Sequence, residues 1–195
     1  MKVKRQRITV EELLRRYAAG ERNFVGIYLI ESDEGLRGCN LSGINLSGSE
    51  IAVYMADFNL SGADLSGVYM PQTLFDRANL SSANLSGAIL WQSGFSDANL
   101  SGANLSGADL GMTSFHRANL SSANLSGARL DDTRFRGTDL SGANFSNTIF
   151  DSVGLYGANL TGANLDGVEF RRVSFQNTIM PDGTIRDGSI GDESC

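Results

Sequence analysis

The chain has 195 residues, with 16 Lys and Arg against 22 Asp and Glu, for a formal net charge of −6. Its first 22 residues hold seven basic and three acidic side chains, which leaves −10 on the remainder; an acidic body argues against direct nucleic-acid binding, which rests on cations that neutralise phosphates. No stretch is apolar for long enough to span a membrane, and the basic start lacks the apolar core of a secretory signal, so the expected location is cytoplasmic.

In chain order, residues 1–22 read as a basic N-terminus and a capping helix. Residues 1–7 are expected to be mobile. Thr9 and Glu12 have the spacing of a capping box, and Ile8 with Leu13 that of a hydrophobic staple. The helix is predicted from about Val10 to Ala19, with Gly20 as its stop and Val10, Leu13, Leu14 and Tyr17 on one face. Such a helix serves as a lid over the first coil of the structure that follows, because an uncovered solenoid end exposes core and unpaired edges.

Residues 23–180 are organised by a period of five. The run Ala98-Asn99-Leu100-Ser101-Gly102-Ala103-Asn104-Leu105-Ser106-Gly107 states it most plainly. Counting by fives from Leu100 reaches Leu60 in one direction and Met180 in the other, and every position met is large and apolar. Two residues before nearly every centre stands a small or β-branched residue, with a usually polar one between. Small, polar, large reads as in, out, in, the alternation of a very short strand. The remaining pair, typically Ser-Gly, is turn chemistry. Phe75, Phe95, Phe115 and Phe135 are spaced by twenty, continued by Leu155 and Phe175, so four sides make one coil. The inferred object is an all-β, four-sided solenoid with about 4.8 Å between coils.

The register has two predicted breaks. Leu29 to Leu36 is seven residues, which places an acidic loop at Ile30–Gly35; Ile51 to Met55 is four, which places a local distortion near Ala52. Residues 181–195 begin with the turn signal Pro181-Asp182-Gly183. Thr184–Ile190 is expected to form a last edge strand and Asp187–Cys195 a tail.

These residues resemble the pentapeptide-repeat family, whose consensus is A(D/N)LXX, over about Leu36 to Met180. The resemblance implies a right-handed quadrilateral β-helix. The family is functionally diverse, so fold carries no single activity with it. Some members are acidic rods that mimic duplex DNA and bind DNA gyrase; that role is an alternative here, although the C-terminal dimerisation helix of that group is absent from this sequence.

No catalytic, cofactor or metal-binding motif emerges. His116 should point outward near Asp97 and Arg117, without a nucleophile. Asp131, Asp132, Arg134, Arg136 and Arg129 read as a solvated charge cluster. Cys39 falls on an inward small position, and both it and Cys195 are expected to be free thiols. Asn79, Asn99, Asn119, Asp139 and Asn159, and likewise Asn84 to Asn164, should stack as side-chain ladders. Against this regularity, Tyr69, Ile89, Trp91 and Met112 are predicted to point outward near one edge. Tyr69 and Ile89 share a column, with Trp91 and Met112 at the following corner. A rimmed apolar patch of this kind marks a partner surface. The expectation is a non-enzymatic scaffold for an unidentified protein partner, monomeric or weakly dimeric.

Overall fold

The computed structural model describes residues 5–30 and 38–191. The predicted loop from Glu31 onward, the centre Leu36 and the terminal Cys195 lie outside the described residues.

Each five-residue unit builds one side of a square. Ala98 and Leu100 are buried, while Asn99 between them faces out. The Leu100 amide donates to Asn119 O in the next coil at 2.7 Å, and the Asn99 amide donates to Ala78 O in the previous one at 2.9 Å. Alternate residues thus bind upward and downward, as in any parallel sheet. At the corner, Ala103 N donates to Leu100 O at 3.0 Å across a turn centred on Ser101 and Gly102, and Gly102 takes φ +65°. Asn99 reinforces the corner by accepting from Ser101 N at 3.1 Å.

The four sides can be named by their centres. The first carries Leu60, Leu80 and Leu100, and the second Leu65, Leu85 and Leu105. The third carries Met70, Leu90 and Leu110, and the fourth Met55, Phe75, Phe95, Phe115 and Phe135. The rings of Phe75, Phe95, Phe115 and Phe135 stack with centroids 4.7, 5.0 and 5.2 Å apart. Small residues fill the space opposite, and where threonine takes that place its hydroxyl finds a carbonyl. Thr113 Oγ1 donates to Leu90 O at 3.0 Å and Thr133 Oγ1 to Leu110 O at 2.9 Å. Asn164 through Asn84 form an unbroken amide ladder down the second side to Asp64, with spacings of 3.2–3.3 Å.

Bridge spacings record both register breaks. Tyr28 pairs with Glu50, twenty-two residues on; Glu50 pairs with Tyr69, nineteen on; from Tyr69 to Ile89 and upward the step is twenty. Strand β2 spans Tyr28–Ile30 and β3 spans Glu50–Ala52. Ile30, placed by the sequence at the start of a loop, therefore ends a strand.

The N-terminal cap is larger than expected. Strand β1, Arg7–Thr9, pairs in parallel with β2, so the segment from Arg5 to Arg7 is held rather than mobile. The Tyr28 amide donates to Gln6 O at 2.8 Å, and Arg5 pairs with Glu50 at 2.6 Å. Helix α1, Val10–Ala18, follows with Thr9 as N-cap, its hydroxyl accepting from Glu12 N at 3.2 Å. The return half of the capping box is not made, because Glu12 turns to Arg15 instead. Val10 and Leu13 are buried, and Tyr17 donates to Ser42 O at 2.9 Å, which ties the lid to the first coils.

Beyond the lid and its sheet, four strands form near the other end. β4 (Ile149–Asp151) pairs with β5 (Glu169–Arg171), and β6 (Val173–Ile179) pairs with β7 (Ile185–Ile190). The last pair is antiparallel: the turn at Pro181–Gly183 reverses the chain onto the fourth side. The expected edge strand is thus present as β7, and it includes Asp187–Ile190, which the sequence also placed in the tail, since the reversal gives its backbone the partner that a further coil would otherwise have supplied.

Candidate functional site

The four corners of the square are chemically unequal. Between the second and third sides the left-handed position is held by Gly67, Gly87, Gly107, Gly127 and Gly167, with Asn147 the exception. Between the third and fourth sides it is held by Gln72, Gln92, Met112, Asp132, Ser152 and Arg172, at φ of 52–59°. A side chain in this conformation is disfavoured by about 1 kcal/mol. Six coils in succession carry that strain on one edge, and backbone strain retained in this way is a pointer to function. The four-residue register break falls on the same edge, where it leaves Ala52 alone at the corner.

The apolar residues expected outside gather there. Tyr69 and Ile89 are bridged neighbours on the third side, exposed by 41% and 37%. Met112 is 49% exposed at the corner, where it accepts from Gln92 Nε2 at 3.5 Å; Gln92 in turn accepts from Gln72 at 2.8 Å. Trp91 departs from the expectation: it is half-buried, standing in its column between Pro71 and a buried Gly111. Tyr54 and Leu74, on the fourth side, add to the patch beyond the residues expected there, exposed by 57% and 42%. The in–out rule could have found them, since each directly precedes a centre. Gly94 makes room for Leu74, whose Cδ2 lies 3.1 Å from where a Gly94 Cβ would stand.

Replacing Met112 by glycine tests the strain directly. The expected result is a gain of about 0.5–1 kcal/mol in unfolding free energy by chemical denaturation. A loss would mean that the Gln92 contact outweighs the backbone.

The corner between the fourth and first sides carries ion pairs rather than apolar groups. Arg77 binds Asp57 at 2.6 Å and Arg117 binds Asp97 at 2.6 Å. The hydrogen bond from Arg117 holds the Asp97 carboxyl below the usual carboxylate range, and their mutual attraction acts in the same direction. His116 Nδ1 lies 3.2 Å from Arg136 O and Nε2 contacts Arg117, so both ring nitrogens are engaged. Arg129 bridges Asp131 and Asp109 at 2.6 and 3.5 Å. Burial pushes the half-buried Cys39 thiol up, away from a reactive thiolate. Among the described residues no His, Cys, Asp and Glu group could hold a metal ion, and no helix is long and apolar enough to cross a membrane.

The model of pentapeptide repeats matches this sequence in eight copies, across segments running from residue 59 to residue 182. The chain belongs to the pentapeptide-repeat family. Its four-sided coil is the right-handed quadrilateral β-helix of that family. Among solved structures it is similar to HetL, a pentapeptide-repeat protein involved in heterocyst differentiation regulation in the cyanobacterium Nostoc; identity is 27%, coverage 92% of this chain and 100% of HetL, and the TM-score 0.25. A pentapeptide-repeat protein of the Arabidopsis thaliana thylakoid lumen is 32% identical over 56% of this chain and 69% of its own, with a TM-score of 0.29. Trypsin-treated QnrB1, a plasmid-mediated fluoroquinolone resistance protein, is 18% identical over 85% of this chain and 91% of its own, with a TM-score of 0.47. Comparison with curated proteins gives no match.

Proposed function

We propose that this pentapeptide-repeat protein is a non-enzymatic, rigid scaffold that binds a protein partner along the corner between its third and fourth sides. The observation that supports this reading most is the run of six left-handed corner residues that keep side chains where glycine would relieve the backbone. The same edge presents Tyr69, Ile89, Trp91 and Met112, now extended by Tyr54 and Leu74. Aromatic and Met side chains on a rigid support supply contact area with little further ordering on binding. In this reading the protein works in the cytoplasm as a monomer or weak homodimer, with Cys39 a free thiol and no direct contact with nucleic acid.

The test is affinity capture from source-cell lysate with wild-type bait beside a Trp91→Glu, Met112→Glu double variant. A partner retained by the wild type should be lost by the variant, while both baits keep the same β-rich circular dichroism. Equal capture by both would remove the edge from consideration.

A further inference from the structure

The four-residue step at Ala52 leaves a gap in the wall. In the coils above, from Gln72 to Ser152, the left-handed corner residue donates its amide upward to the first corner residue of the next coil. Gln72 N reaches Trp91 O at 2.9 Å, Gln92 N reaches Gly111 O at 2.8 Å and Met112 N reaches Asp131 O at 2.7 Å. The coil below Pro71 has only Ala52 at this corner, so the donor due to Pro71 O does not exist. That carbonyl receives nothing better than the Thr73 hydroxyl at 3.5 Å. Thr73 is itself displaced from its usual role. Thr113 and Thr133, above it in the same column, donate to the centre one coil down, but Thr73 makes no such bond to Ile51. Thr73 is 3% exposed, so its hydroxyl is a buried polar group with one long contact.

The gap is a notch of about 250 Å³ lined by Ile51, Val53, Tyr54, Pro71, Gln72 and Thr73. Ile51 and Val53 are its buried apolar residues, and Tyr54 stands exposed at its rim. No lining residue carries a charge near neutral pH. A matching ligand is therefore neutral. It offers an N–H to Pro71 O, an acceptor for the Thr73 hydroxyl, and a modest apolar group for Ile51 and Val53. An N–H and a C=O flanking an aliphatic side chain describe one residue of an extended peptide. The volume also suits a single side chain rather than a folded element.

We propose that this notch is a recognition pocket for one aliphatic residue in an extended segment of a partner protein. The segment's amide replaces the backbone donor that the missing corner residue would have provided. The pocket rests on the partner-binding reading of this edge, since Pro71 begins the column that continues through Trp91.

The experiment is an NMR titration of the labelled full-length chain with N-acetyl-L-leucine N′-methylamide. The expected result is saturable shifts confined to Ala52–Tyr54 and Gln72–Thr73. An analogue methylated at both amide nitrogens should bind at least fivefold more weakly. Inserting one glycine after Ala52 restores the two-residue corner and should weaken binding at least tenfold. Thr73→Val, which keeps the shape and removes the hydroxyl, should weaken it about fivefold and serves if the insertion fails to fold. Shifts that do not saturate, as for a notch filled by water only, would overturn the pocket. So would equal binding of the methylated analogue. If a partner is captured through Trp91 and Met112 but the glycine-insertion bait captures it equally well, the pocket fails and the scaffold reading stands. Saturable, insertion-sensitive binding without any captured partner would keep the pocket's chemistry and remove the scaffold reading.

Discussion

Phe115→Ala should lower the unfolding free energy by about 3–5 kcal/mol, measured by guanidinium denaturation followed by circular dichroism. Phe115 is fully buried and sits third in a stack of four rings. The rings above and below are part of coils whose separation is set by backbone hydrogen bonds, so they cannot close the space that alanine leaves. The loss therefore includes the transfer of the ring and a cavity that relaxes little. Two stacked contacts, to Phe95 and Phe135, go with it; such pairs contribute about 0.5–1.5 kcal/mol each beyond burial. Phe115→Leu is the control. Leucine already serves the same column at Leu155, also fully buried, and this exchange should stay below about 1.5 kcal/mol. A loss under about 1.5 kcal/mol for alanine would mean that the column repacks and that the stack is only filler.

Leu13→Asp should undo the lid. Leu13 has no exposed surface and lies on the buried face of α1, one residue past the capped first turn. A carboxylate there would be desolvated without a partner, at a penalty of about 3 kcal/mol or more. The helix should detach and carry β1 with it, which leaves the parallel edge of β2 and the side chains of Phe24 and Ile27 open. Hydrogen exchange should speed at Tyr28, whose amide bonds to Gln6 O, while the coils from Leu60 upward stay protected because each depends only on its neighbours. Light scattering should show association through the bared edge. Monodisperse protein with an unchanged Tyr28 exchange rate would show that the lid is not what keeps this end apart.

Most of the fold was legible because the five-residue period specifies both the inward side chains and the corners, and each is repeated too often to be mistaken. The lid was legible from Thr9, Ile8 and Leu13. β1 was not, since three residues of mixed polarity have no periodicity, and their strand exists only because β2 offers an edge. β7 was legible as the last edge strand after the turn at Pro181–Gly183, although Ile185–Ile190 is mostly exposed and is held in place by pairing with β6. The candidate edge was half legible. Tyr69, Ile89 and Met112 are exposed as the alternation demands, but Trp91 turned out half-buried, because corner residues follow no in–out rule. The left-handed run from Gln72 to Arg172 gave no signal, as glycine is the usual mark of that conformation and none of the six is glycine. That the four-residue break shares this edge shows only when the coils are stacked.

The constant step of twenty residues from Tyr69 upward makes the chain a ruler. One added turn lengthens the rod by about 4.8 Å and returns every later side chain to its original compass bearing. A single added residue does the opposite, shifting no length but swinging every later column off its bearing unless one corner absorbs the error. Here a gain of two and a loss of one, read in the steps of twenty-two and nineteen, are both absorbed before Leu60. Genes for such a rod can therefore grow or shrink freely only by whole turns. The spacing between features along an edge is then a quantity that duplication can tune in fixed increments while their heading is preserved.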